Sequence, residues 1–388
     1  MREALIDVTR LLDRTMQGRL PTGVDRVSLE YARHFGERAT ALVRFAGQWI
    51  ELSPNDSERT FEALLSPSAS FNQLIRRLVA RAATQSIGRR FSAPRFLFNT
   101  GHSGLEQAQY ARRLQHSHLR PIFFVHDLIP ITHPEYCRPG ECGKHRLRMN
   151  TVLEHGHGVI ANSVQTLDEL VAYGEAVGLP MPPAAVAPLA PARLPAPAAS
   201  PPLEQPYFVM LGTIEPRKNH WLLLQVWRQL VERLGDAAPR LMVIGQRGWE
   251  CENVVDLLER CAPLQGFVHE RAACSDAELA SCLHHAQALL FPSFTEGYGM
   301  PLVEALTLGL PVIASELPAF REIAGDIPEY LDPLDGKRWR ELIEDYALPD
   351  SPLRAAQCQR MNGFAAPTWE AHFEQVEILM GRLRVAAA

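Results

Sequence analysis

Short apolar runs alternate with stretches of helical spacing along nearly the whole chain, and that alternation limits the folds open to it. "ALIDV" (4–8), "TALVRF" (40–45), "RFLFN" (95–99), "PIFFV" (121–125) and "GVIAN" (158–162) read as strands. Between them, "VDRVSLEYARHF" (24–35) and "VQTLDELVAYG" (164–174) place apolar residues at helical intervals. The pattern resumes further on. "YFVML" (207–211), "RLMVI" (240–244), "QGFV" (265–268), "QALLF" (287–291) and "PVIAS" (311–315) are candidate strands. "HWLLLQVWRQLVERLG" (220–235) and "DAELASCLHHA" (276–286) are candidate helices. Strands alternating with helices build parallel sheets covered on both faces. The expected fold class is α/β.

A chain of 388 residues is too long for one ordinary core and suits two domains. The segment 182–206 is dense in proline and alanine. It excludes a regular helix or a central strand and reads as an extended crossing. The expected division is an N-terminal domain over 1–190, a linker over 191–206 and a second domain over 207–367. The helix expected in "TWEAHFEQVEILMGRLRV" (368–385) follows a breaker, and the segment 368–388 is assigned to the N-terminal half. Each sheet then offers a crevice where its strand order reverses, the natural place for a ligand.

Composition narrows the function classes. Hydrophobic residues make up 46% and charged residues 21%, ordinary for a globular protein. No apolar run reaches the ~18 residues that a membrane-spanning helix needs. The N-terminus lacks the apolar core of a signal peptide, so a cytoplasmic location is the expectation. Seven scattered cysteines without a C-x-x-C pair suit free thiols. "CRPGECGKH" holds Cys137, Cys142 and His145, but its spacing is no standard zinc pattern, so no metal is assigned. Residues 1–200 carry net +5 and residues 201–388 net −10. That asymmetry supports two domains and an anionic ligand for the first half, while the total is not basic enough for nucleic acid.

Two glutamates bracket a glycine-rich turn in "FTEGYGMPLVEALTLGLPVIAS" (294–315). Pro301 suits a first helical turn, and Gly309 with Pro311 suits a stop. Gly297 and Gly299 let the backbone come close to a ligand. The amides of Gly299, Met300 and Leu302 would open a helix, a place that favours phosphate. Glu296 beside it, and Glu304 one turn into the helix, can accept hydrogen bonds from sugar and ribose hydroxyls. On spacing alone, a solvated Glu296 with a dipole-favoured Glu304 is an equal alternative. Arg217 and Lys218, in "LGTIEPRKNH" (211–220), stand at a strand-to-helix corner. Two cations there can neutralise a diphosphate; a basic surface turn is the bland alternative.

Together "GTIEPRKNH", "VIGQRGWE" and the run from "GFVHE" to "LPVIAS" resemble the family-4 retaining glycosyltransferases of the GT-B fold. That resemblance covers nearly all of 207–326. It implies two Rossmann-like domains facing across a central cleft, with 1–190 on the acceptor side and 207–367 binding the nucleotide-sugar. It aligns Glu296 and Glu304 with the E-x(7)-E signature and Arg217 and Lys218 with a basic pair. "PTGVDRVSLEYARHF" (21–35) looks like the glycine loop that nears the donor diphosphate, through Gly23, although relatives often carry two glycines there. "FFVHDLIPITHPEY" (123–136) looks like the segment that brings His126 to the sugar. The resemblance thus implies catalytic roles for Glu296, His126, Arg217 and Lys218. It implies a donor site of Gly23, Gly212, Arg217, Lys218, Phe267, Val268, Glu296, Gly297, Tyr298, Gly299, Met300, Pro301, Leu302 and Glu304. Phe267 and Val268 enter as backbone contacts to the base. A structural histidine is the alternative for His126, and simple packing for Tyr298. Arg247 and Trp249 either touch the donor or close a loop.

The function implied is transfer of a sugar, with a lean toward mannose from GDP-mannose, from a nucleotide-diphosphate donor to a saccharide or lipid-linked acceptor in surface-polysaccharide synthesis. No cofactor is implied, and the chain has no D-x-D triplet of the kind that metal-dependent relatives use. A non-catalytic nucleotide-sugar-binding partner or regulator is the alternative. The stretch 71–91 has apolar residues at 71, 74, 75, 78, 79 and 82, with Arg76, Arg77 and Arg81 between them. It reads either as a basic amphipathic helix on the inner face of a membrane or as an arginine-rich surface helix.

Overall fold

A computed structural model describes residues 2–86 and 94–385. The chain divides into two compact units. The first comprises the chain up to Ile131, Cys142–Leu189 and the chain from Thr368; the second comprises Thr132–Glu141 and Ala190–Pro367. The expected N-terminal domain over 1–190 is therefore interrupted, because Thr132–Glu141 groups with the second unit. Among the described residues, no helix is long and apolar enough to cross a membrane.

The first unit contains β1 (Ala4–Asp7), α1 (Thr9–Met16), α2 (Gly23–Phe35), β2 (Ala39–Phe45), β3 (Gln48–Glu51), α3 (Pro54–Leu65), α4 (Phe71–Ser86), β4 (Arg95–Asn99), α5 (Ala108–Gln115), β5 (Leu119–Val125), β6 (Gly158–Ala161), α6 (Val164–Val177) and β7 (Ala184–Val186). The strand order is β3-β2-β1-β4-β5-β6-β7. All pairs are parallel except β2 with β3. β1 is buried at every position, which is why its sequence is a continuous apolar run apart from Asp7 rather than an alternation. β3 was not expected. It forms a hairpin with β2 through Ala46 and Gly47, both at positive φ (48° and 72°), and an alanine gives little sign of such a turn. β7 lies in the proline-rich 182–206 segment and takes the edge of the sheet, where proline neighbours are tolerated.

α4 carries the expected amphipathic pattern, and residues 87–91 of the stretch lie outside the described residues. Phe71, Ile75, Leu78 and Ala82 are buried. The helix packs on β3, α1 and α3, and Arg81 pairs with Asp56. The apolar face is spent inside the protein, so only the arginine face remains for anything outside. The last helix, Trp369–Val385, buries Trp369, His372, Phe373, Val376, Leu379, Met380 and Leu383 and packs on β6 and β7.

The second unit contains β8 (Tyr207–Leu211), α7 (His220–Leu234), β9 (Arg240–Ile244), α8 (Glu252–Arg260), β10 (Val268–Arg271), α9 (Asp276–His284), β11 (Leu289–Phe291), α10 (Met300–Thr307), β12 (Val312–Ser315), α11 (Pro318–Ala324), β13 (Glu329–Leu331), α12 (Gly336–Tyr346) and α13 (Pro352–Met361). Its strand order is β10-β9-β8-β11-β12-β13, all parallel. Order reverses between β8 and β11, so the crevice lies beyond the C-terminal ends of those two strands. Two cores flank the sheet. One gathers Trp227, Leu230, Trp339 and Tyr346, the other Phe291, Leu302, Val312 and Phe320.

Candidate active site

Beyond β8 the chain turns at Gly212, pairs Ile214 with Arg247 in an isolated bridge, and reaches the corner that holds Arg217 and Lys218. Asn219 is left-handed (φ 59°) and opens α7. Its side-chain amide donates to the carbonyls of Pro292 (3.2 Å) and Pro333 (2.8 Å), which ties the corner to the end of β11. The Phe294 amide donates to the Arg217 carbonyl at 2.8 Å. Two loops distant in sequence are thus held side by side at the switch point.

There the charges meet. Arg217 Nη1 stands 2.6 Å from Glu296 Oε2, and its Nε 2.6 Å from Glu215 Oε1. Lys218 Nζ pairs with Glu296 Oε1, which also accepts from Ser293 Oγ at 2.8 Å. Lys218 lies 4.9 Å from the Phe291 ring centre. Two cations and two carboxylates form a formally neutral quartet, with Glu215 and Lys218 buried and Arg217 and Glu296 partly so. Burial alone would push the Glu296 carboxyl up, but Arg217 and Lys218 outweigh it and hold it down at about 2. Burial lowers the Lys218 ammonium against the pull of Glu296, and raises Glu215 against Arg217 and Lys218. A carboxylate has roughly four lone-pair sites. On Glu296, three of these are taken by the bonds above.

α10 begins where the sequence placed it. Gly299 precedes it with φ 118°, and a Cβ there would stand 2.7 Å from Phe320 Cε1, so both conformation and space demand glycine. Pro301 lies in the first turn. The Leu302 amide, expected at an anion site, instead donates to the Gly299 carbonyl at 2.9 Å. The amides of Gly299 and Met300 precede that bond. Glu304 is buried on the helix, and Tyr298 is buried among packed side chains.

Other expected site residues are placed elsewhere. β10 runs over Val268–Arg271, not 265–268, with Val268 opposite Leu241 and Arg271 opposite Ile244. Phe267 and Val268 therefore sit at the N-terminal edge of the sheet, at the far end of a strand from Gly212 and Gly245. The Phe267 carbonyl accepts from Leu241 (2.8 Å), and its ring lies under Arg240. A register three residues later explains the difference: the apolar run marked the loop into the strand, and the polar "HER" is the strand itself. Gly23 is the first residue of α2, without positive φ and with open space around its Cβ position. The polar work there falls to Asp25, which caps Thr22 and pairs with Arg10 and Arg14.

His126, in the first unit, follows β5. Its Nε2 donates to the Thr100 carbonyl at 2.7 Å, and its own carbonyl accepts from Asn162 Nδ2 at 2.9 Å. Burial keeps the ring neutral. Arg247 forks onto Glu270 at 2.8 and 2.7 Å and reaches Glu259 at 2.6 Å. Trp249 Nε1 donates to the Tyr136 carbonyl at 3.2 Å, and Tyr136 stacks on Phe294 with ring centres 5.3 Å apart. Both side chains brace loops. Glu215 and Ser293 were not singled out from sequence; an acid one residue before a proline and two before the basic pair was the available signal. Among the described residues, no three His, Cys, Asp or Glu side chains gather to hold a metal ion.

Comparison with known proteins bears on this corner directly. Residues 197–329 match the family model "Glycosyl transferases group 1", which spans both loops of the quartet. That match covers about a third of the chain. Over 257 residues it is 28% identical to "Serotype-specific mannosyltransferase WbdA" of Escherichia coli, covering 59% of this chain and 31% of that protein. Over 131 residues it is 35% identical to the "O-antigen chain mannosyltransferase B" of Escherichia coli, covering 34% of each. The chain spans about a third of the length of these relatives. Among solved structures, Anabaena Alr3699/HepE in complex with UDP and glucose superimposes over the full length of both chains with a TM-score of 0.66 at 14% identity. That likeness shows the fold. The fold is of the GT-B type, as the α/β alternation and the resemblance implied.

Proposed function

We propose that the chain is a retaining glycosyltransferase that moves a sugar from a nucleotide-diphosphate donor to a saccharide or lipid-linked acceptor in polysaccharide synthesis. The observation that carries this reading is the Arg217–Lys218–Glu296 cluster at the switch point, beside the opening of α10 and inside the matched family region. Mannosyl donors, with GDP-mannose first, are favoured by the mannosyltransferase names of the relatives.

Each group has a task in that reaction. The amides of Gly299 and Met300 receive the diphosphate. Lys218 and Arg217 stabilise the charge that builds on the leaving group. Glu296, kept ionised by the same two cations, accepts one sugar hydroxyl and orients the anomeric carbon. Glu304 accepts from the ribose. The acceptor oxygen bonds to the anomeric carbon on the face the leaving group departs. The carbon–oxygen bond to the diphosphate breaks, its electron pair leaves with the nucleotide, and the acceptor proton passes to a departing phosphate oxygen. Lys218, Arg217 and the α10 amides take the place of a metal in this scheme, so activity is expected without a divalent ion. A membrane-side acceptor would be met by the arginine face of α4 alone.

Thermal-shift measurements with UDP-, GDP-, ADP- and dTDP-sugars, followed by mass spectrometry with candidate acceptors, test the proposal. Stabilisation by one nucleotide class with sugar transfer supports it. Stabilisation without any transfer or donor hydrolysis turns the reading to a non-catalytic binder, and no stabilisation by any donor overturns it.

A further inference from the structure

Two carboxylates grip Arg217, and they are not equivalent. Glu215 is buried, whereas Glu296 is partly open. Glu215 Oε1 lies 2.6 Å from the guanidinium Nε. Nη1 of the same fork stands 2.6 Å from Glu296 Oε2 and donates to the Thr295 carbonyl at 3.2 Å. Three acceptors on two loops therefore fix the plane of one guanidinium, with Glu215 at its stem.

The backbone that carries Glu215 is held as well. The Ile214 amide donates to the Gln246 carbonyl at 2.9 Å, the Gly248 amide to the Ile214 carbonyl at 2.9 Å, and the Lys218 amide to the Glu215 carbonyl at 3.1 Å. A buried carboxylate costs free energy even when paired, and a neutral residue that packs well is often no worse. Burial here outweighs Arg217 and Lys218 and raises the Glu215 carboxyl above its ordinary range. Fold stability alone does not account for an acid at this position.

We propose that Glu215 is a positioning residue, which holds Arg217 by its Nε so that the fork stays aimed at the diphosphate when Glu296 turns to the sugar. The inference rests on the glycosyltransferase reading above. In that reaction both Arg217 and Glu296 exchange their mutual contact for substrate. Glu215 is then the carboxylate that still fixes the guanidinium. It acts through Arg217 and needs no contact with the substrate.

Protonation would loosen this hold. Facing Glu215 are Arg217 and Lys218 on its own loop, Glu296 across the corner, and His220 and Glu250, which share with it the wall of a cavity of about 250 Å³. Glu296 stays ionised down to about 2, and His220 stays neutral down to about 3. Of the two carboxylates on Arg217, Glu215 therefore takes up a proton first as pH falls.

Steady-state kinetics on the full chain, with the nucleotide-sugar found by thermal shift, test the assignment in wild type, Glu215→Ala, Glu215→Gln, Arg217→Ala and the Glu215→Ala, Arg217→Ala double variant. Glu215→Ala should lower kcat by about 10–100-fold, the scale of a small misplacement near a reacting centre. Donor KM should hold or fall, because a negative charge beside the phosphate cations has gone. Without Arg217 the same substitution should cost no further kcat, since its effect passes through that guanidinium. Glu215→Gln, whose amide oxygen still accepts from Nε, should keep more of kcat and lose the acid limb of the wild-type pH profile. A thermal shift with GDP or UDP certifies that each variant folds. The proposal is overturned if Glu215→Ala turns over at the wild-type rate, if its KM rises as far as kcat falls, or if the full loss persists without Arg217. Should Glu215→Ala fail to fold, an acid limb unchanged in Glu215→Gln overturns it. A wild-type protein that transfers no sugar from any donor sinks the glycosyltransferase reading, and this inference with it.

Discussion

Arg217 Nη1 stands 2.6 Å from Glu296 Oε2, so the acid of the signature and a cation of the basic pair are each other's partners. On the proposed function, a diphosphate entering this corner would meet cations already engaged and a carboxylate already aimed. The arrangement would trade some attraction for the phosphate against a Glu296 held in place and ionised before a sugar arrives.

Lys218→Ala should slow transfer at saturating donor by about 10²–10³, the effect of removing one preorganised donor at developing charge. Arg217→Ala should act in the same direction. Steady-state kcat with the donor identified by thermal shift checks this. Undiminished turnover in both variants would remove the charge-stabilising role.

Glu296→Gln separates binding from transfer. It leaves Arg217 and Lys218 without their shared carboxylate, and breaking a buried pair on one side costs about 3–5 kcal/mol. The melting temperature should fall, and added GDP or UDP should restore more of it than in the wild type. Nucleoside-diphosphate affinity is expected to hold or tighten by calorimetry while transfer falls about 100-fold or more. Weaker nucleotide binding would mean that Glu296 supports the phosphate site rather than competing with it.

Gly245→Ala tests the geometry of the corner. A Cβ there would lie 1.9 Å from the Gly212 carbonyl oxygen, a backbone atom that cannot swing aside. Overpacking of this kind costs about 1–3 kcal/mol or more. Denaturant unfolding should show that loss, and nucleotide binding should weaken because Gly212 leads into the basic pair.

Stability should fall on acidification from neutral pH toward pH 4. Burial depresses His372 to about 4 from an ordinary 6.5, although its Nδ1 hydrogen-bonds the Ala187 and Pro188 carbonyls. Between those two values the unfolded chain binds a proton that the folded chain refuses, so stability is fully present above 6.5 and drains as pH drops toward 4. His220, depressed to about 3, adds in the same direction. His372→Gln should flatten the pH dependence of unfolding by about one proton. An unchanged slope would place the titration elsewhere.

The alternation of apolar runs and helical spacing was enough to foretell two α/β halves, because strands buried on both faces must be apolar throughout and helices that cover them must be amphipathic. The helix that opens at Met300 was legible for a local reason: Gly299, Pro301 and Gly309 each answer a backbone requirement within a few residues. Local signals misplaced β10, whose polar "HER" occupies a sheet edge, and missed β3, whose turn uses an alanine at positive φ. They also assigned Thr132–Glu141 to the wrong unit, since stacking of Tyr136 on Phe294 is a contact between distant positions. The sequence supplied the acids and bases of the site; tertiary structure alone decided that Glu296 pairs with Arg217 and Lys218, and that Glu215 joins them. Such pairing depends on where two separate βα loops come to lie beside one another, and that is set by the order of β8 and β11 in the sheet rather than by any spacing along the chain.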